Sequence, residues 1–84
     1  MRVLLTDQAE KDLLKLDPEI RRRFVKKIED MRQDRVEIAS LQGEPPRWKV
    51  RVGPKWRILL YLSDDRQTVT ITNCGPRRDI YRDR

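Results

Sequence analysis

Eighty-four residues, 37% of them hydrophobic and 40% charged, suffice for one small domain (1–84) with a thin core under a charged skin. Twenty Lys and Arg against fourteen Asp and Glu leave a net charge of +6, which favours polyanionic partners: nucleic acid, an anionic surface or an acidic protein. A single cysteine, Cys74, excludes an internal disulfide; without histidine neither a metal site nor a cofactor is expected, and without a long apolar run the chain is expected to be soluble and cytoplasmic.

Arg2 to Thr6 predicts a short strand, with Val3 and Leu5 on one face and Leu4 on the other. Thr6 or Asp7 then caps a helix over Gln8 to Leu16, whose Ala9, Leu13 and Leu16 share one face. Asp17-Pro18 is a second start signal, an N-cap acid before a proline at the first helical position. The helix it opens is expected to reach about Gln33, burying Ile20, Phe24, Ile28 and Met31. Arg21, Arg22, Arg23, Lys26 and Lys27 cover its other sides. Asp34 to Pro46 reads as irregular, pinned by Ile38 and Leu41 and ended by Gly43 and Pro45-Pro46.

Arg47 to Val52 alternates without error: Arg47, Lys49 and Arg51 point one way, Trp48, Val50 and Val52 the other. A turn at Gly53-Pro54-Lys55 leads to a second strand, Trp56 to Ser63, with Arg57 embedded in its apolar run. Asp64-Asp65-Arg66 turns the chain into a third strand, Gln67 to Asn73, which Gly75-Pro76 is expected to stop; Arg77 to Arg84 is left as a tail. The order β-α-α-β-β-β predicts an α+β fold. The N-terminal strand and the three later strands make a mainly antiparallel four-stranded sheet, with an antiparallel helix hairpin packed on one face. Arg47, Lys49, Arg51, Lys55 and Arg57 then form a cationic surface away from the helices. Arg57 stands out, because an arginine inside an apolar run needs an acidic partner or an anionic ligand.

The sequence resembles the RelE/ParE superfamily of toxins from toxin–antitoxin modules. The resemblance rests on Ala9, Leu13 and Leu16, on Leu41-x-Gly43, and on Trp48-Lys49-Val50-Arg51-Val52-Gly53. Trp56-Arg57-Ile58-Leu59-Leu60-Tyr61 and Gly75-Pro76-Arg77-Arg78-Asp79-Ile80-Tyr81 complete it. The chain departs from the family pattern at Trp48 and Trp56, where tyrosine or phenylalanine is common. It departs again at Pro76, which replaces the histidine of a frequent Gly-His-Arg-Arg run. The RelE-like branch, which the basic strand and the tail tyrosine favour, implies a ribosome-dependent endoribonuclease that cuts mRNA in the A site and is held inactive by an acidic, RelB-like antitoxin. Carried over by position, the resemblance implies Lys49, Arg51, Arg57, Arg77 and Tyr81 as catalytic residues, with Arg78 the competitor of Arg77. The ParE branch, which inhibits DNA gyrase without being an enzyme, is the alternative, and a homologue reduced to basic nucleic-acid binding is the third reading.

RNA cleavage by a 2′-hydroxyl needs a base, stabilisation of a dianionic phosphorane, and protonation of the leaving 5′-oxygen; preorganised cations meet the second need. Lys49 is the candidate base. Arg77, like any arginine with a pKa above about 12, is a phosphate stabiliser first and a proton donor second. Tyr81 is expected to stack on a base or assist proton transfer. Arg47, Lys55, Arg78, Arg21, Arg22 and Lys26 are the candidate RNA-binding residues, the last three as positioning contacts to phosphate. The bland alternatives are a solvated sheet face, a solvated helix face and a salt bridge to Arg57. Trp48 belongs with Val50 and Val52 in the core, whereas Trp56 is open between core packing and base stacking.

Overall fold

The computed structural model describes residues 1–41 and 46–76, so Gly43, Pro45, Arg77, Arg78 and Tyr81 lie outside the described residues. Five strands and two helices follow in the order β1 (Arg2–Leu5), α1 (Asp7–Leu14), α2 (Pro18–Arg32), β2 (Ala39–Leu41), β3 (Arg47–Val52), β4 (Trp56–Leu62) and β5 (Thr68–Pro76). They form one sheet with the strand order β1-β5-β4-β3-β2. β1 runs parallel to β5, and the other pairs are antiparallel.

Thr6, rather than Asp7, is the N-cap of α1. Its hydroxyl oxygen accepts the Ala9 N–H at 3.1 Å and its O–H donates to the Thr72 carbonyl at 3.2 Å, tying the helix start to β5. α1 stops at Leu14, two residues earlier than expected, yet Leu16 still packs on the core. Its C-terminal carbonyls are closed by a side chain from the next helix: Arg21 donates to Leu13, Leu14 and Leu16 at 2.9–3.1 Å. Pro18 opens α2 as expected, and the spacing of Phe24, Ile28 and Met31 buries one stripe of it completely.

That stripe meets Val3, Ala9, Val50, Val52, Ile58, Leu60, Val69, Ile71 and Cys74 in one core on a single face of the sheet. Trp48 packs on its border, and so does Trp56, whose ring meets Phe24 edge-on with centroids 6.1 Å apart. The question left by the sequence at Trp56 is therefore answered for the core.

Two expectations are corrected. The stretch read as irregular contains β2, whose Ala39, Ser40 and Leu41 pair with Lys49, Trp48 and Arg47, so the sheet has five strands rather than four. β5 does not stop at Asn73 but continues through Cys74 and Gly75 to Pro76, because β4 supplies pairing partners as far as Trp56. β5 also carries a shift of register. Leu59 opposes Asn73 while Leu60 opposes Ile71, so Thr72 is an extra residue, a β-bulge. The bulge resets the parity of the strand and turns Cys74 into the core, on the same side as Ile71.

Candidate functional site

The side of the sheet away from the helices is built by alternation. Trp56, Ile58, Leu60 and Leu62 on β4 join the core, which sends Arg57, Leu59 and Tyr61 to the opposite face. The antiparallel register then sets Arg51 directly across from Arg57, and Lys49 across from Leu59. Three of the cations expected to act together are therefore neighbours on two paired strands. Lys55 lies exposed in the turn between those strands.

Arg57 is the unusual member. It is only 3% exposed, and the side-chain donation found for it among the described residues is from Nη1 to the Trp56 carbonyl at 3.1 Å. Its Nε–H has no partner among the described residues. No carboxylate lies within ion-pair distance of Arg57, Arg51 or Lys49 among the described residues, whose ion pairs involve Asp34, Asp30 and Glu29 instead. A desolvated guanidinium facing a like charge across the strand pair is unfavourable unless an anion completes it.

Arg47 is differently placed. From β3 it reaches across β4 to the bulge, where Nη2 donates to Thr72 Oγ1 at 3.2 Å and Asn73 Oδ1 at 3.3 Å. Its guanidinium carbon sits 5.7 Å from the centre of the Tyr61 ring, a cation–π distance. The Thr72 hydroxyl in turn donates to the Leu59 carbonyl at 3.3 Å. The residue expected as an RNA contact thus braces three strands, and nothing in the alternation of β5 foretold the bulge that receives it.

The helix cations do not join this face. Arg21 is committed to the end of α1, Lys26 pairs with Asp30 at 3.7 Å, and Arg22 is exposed on α2. Lys27, which the sequence left among the solvated helix cations, behaves otherwise. It is half-buried and lines a cavity of about 500 Å³ with Val36, Glu37, Ala39, Lys49, Val50 and Arg51. The signal that could have singled it out was its spacing of three and four residues from Phe24 and Met31, which turns its stem toward the sheet. Among the described residues no helix is long and apolar enough to cross a membrane.

Residues 3–81 match the family model described as ParE toxin of type II toxin-antitoxin system, parDE. A search of curated proteins found no match. Among solved structures, the chain is 29% identical to a chain of the RelBE2 toxin–antitoxin complex from Mycobacterium tuberculosis, covering 90% of this chain and 96% of that one with a TM-score of 0.74. The fold is also that of a chain in the RelB–RelE antitoxin–toxin complex of Methanococcus jannaschii, with 24% identity, 93% and 94% coverage and a TM-score of 0.73. The isolated RelE toxin of E. coli shares it as well, with 23% identity, 95% and 89% coverage and a TM-score of 0.71. These matches bear out the resemblance read from the sequence: the chain is a toxin of a toxin–antitoxin module and belongs to the ParE toxin family within the RelE/ParE superfamily.

Proposed function

We propose that this toxin is a ribosome-dependent mRNA endoribonuclease of the cytoplasm that inhibits translation. The observation that supports this reading above all is the buried Arg57, unpaired by any described carboxylate and set opposite Arg51 beside Lys49. A scissile phosphodiester is an anion of the right kind to complete that set. In the proposed reaction Lys49 takes the proton of a 2′-hydroxyl, whose oxygen attacks the adjacent phosphorus. The P–O5′ bond breaks as the leaving 5′-oxygen takes a proton, from Tyr81 or from Arg77 in its second role, leaving a 2′,3′-cyclic phosphate and a 5′-hydroxyl. Arg51 and Arg57 stabilise the dianionic phosphorane, and strands hold them more rigidly than a loop would. Arg77 is proposed as a further phosphate contact, with Arg78 as its alternative, and Tyr81 as a stacking or proton-transfer residue. An acidic, RelB-like antitoxin is the proposed regulator, supported by the relatives solved as RelB–RelE complexes. Its acids would neutralise the cationic face.

The test is a translating extract supplied with the purified toxin, with message ends mapped. Cuts within translated codons are expected; intact messages with unimpaired translation would end this reading. The match to the ParE family model favours a second one, inhibition of DNA gyrase without enzymatic activity. A supercoiling assay separates the two, since inhibition there without message cleavage reverses the ranking.

A further inference from the structure

β2 pairs with β3 only from Arg47 to Lys49, so the outer edge of β3 from Val50 to Val52 has no strand partner among the described residues. The chain entering β2, at Val36 and Glu37, and Lys27 from α2 lie beside that edge at Val50 and Arg51 instead and line the open cavity of about 500 Å³. Val50 faces the core while Lys49 and Arg51 face away from it, so the cavity wraps around the sheet edge from the cationic face toward the helix.

Three cations and one carboxylate line this space, yet neither Glu37 nor any of Lys27, Lys49 and Arg51 takes part in an ion pair among the described residues. Opposite charges kept apart around a volume of nucleotide size leave the cations free to meet an external anion. Val36, Ala39 and Val50 add an apolar wall against which a sugar or base can rest.

We infer that Lys27 is a positioning residue of the same site: it binds a phosphodiester of single-stranded RNA next to the one that Arg57 and Arg51 engage, and Glu37 opposes that binding. This rests on the RNA-cleaving reading, and it extends the site around the sheet edge to a side chain of the helix layer. An acidic peptide could also answer to cations. The cavity is continuous with Lys49 and Arg51, however, and an RNA strand crossing those two residues carries its next phosphate within a few ångströms of them.

Binding of a cleavage-resistant, fully 2′-O-methylated RNA oligonucleotide, followed by fluorescence anisotropy over a range of salt, tests it alongside kcat and KM for message cleavage on programmed ribosomes. Lys27→Ala is expected to weaken oligonucleotide binding about fivefold, the scale of one exposed ionic contact. It should also lower the salt slope by about 0.7, the value for one phosphate of a single strand. Lys27→Arg should restore both, Glu37→Gln should tighten binding, and in cleavage the effects should fall on KM more than on kcat. Unchanged binding in Lys27→Ala, or effects of the same sign in Lys27→Ala and Glu37→Gln, would overturn the inference. So would a loss confined to binding of an acidic antitoxin peptide. Should the wild type bind the oligonucleotide as described but cleave no message, the endoribonuclease reading fails while the phosphate site stands.

Discussion

At the scale of single residues, Arg57 holds the conflict around which the site is organised. Its guanidinium is desolvated, its Nε–H lacks a partner among the described residues, and the residue opposite carries the same charge. Removing such a charge in favour of an apolar side chain of similar volume is often neutral or stabilising. Arg57→Met is therefore expected to keep or raise the melting temperature while cutting message cleavage by roughly 10²-fold or more, the scale of losing one transition-state donor. Calorimetry and mapped cleavage on one preparation check both halves. Lost activity with a large fall in melting temperature would make Arg57 a structural residue. The arginine was legible as an anomaly in its apolar run, because alternation exposes a misplaced charge at once. That no described acid neutralises it was not legible, since partners across strands depend on register.

At the scale of elements, β5 shows where sequence periodicity stops being sufficient. Val69 and Ile71 alternate with Thr68 and Thr70 and share the core face, and the bulge at Thr72 shifts everything after them. Cys74 lands in the core as a result, its backbone N–H donating to Asp12 Oδ2 at 3.0 Å. Burial, and secondarily the Asp12 charge, push its thiol from the ordinary 9.0 up to about 12. A raised thiol pKa means that the fold holds the proton more tightly than the unfolded chain does. The stabilisation is complete below about pH 9 and is lost as pH rises toward about 12. Urea unfolding of the wild type and Cys74→Ala across that range should show the advantage of the wild type shrinking with pH. The other groups that titrate there are common to both chains and cancel. A difference independent of pH would remove the thiol from the account.

At the scale of the whole molecule, a thin core joins two helices to one face of a single sheet. Phe24 sits at that junction, fully buried and edge-on to Trp56. Phe24→Ala is expected to cost about 3–5 kcal/mol, as large aromatic truncations do. Far-ultraviolet circular dichroism and tryptophan fluorescence should still report one coincident transition. Separate transitions would mean that the helix hairpin and the sheet are independent units. The same layering places the strand cations: with one sheet face committed to the helices, Arg51 and Arg57 fall on the other.

Much of this protein was determined by its sequence alone. The helix start at Pro18, the buried stripe of α2, the strict alternation of β3 and the family to which the chain belongs all follow from local pattern. Local pattern suffices there because capping, helical spacing and strand parity act between residues close in the chain. Tertiary structure decided the rest: β2 as a fifth strand, the bulge that receives Arg47, the position of Arg57 opposite Arg51, and the cavity that joins Lys27 to Lys49. Each of these depends on the register of segments far apart in the sequence. Register is selected by the packing of the whole core, not by the preferences of any one strand.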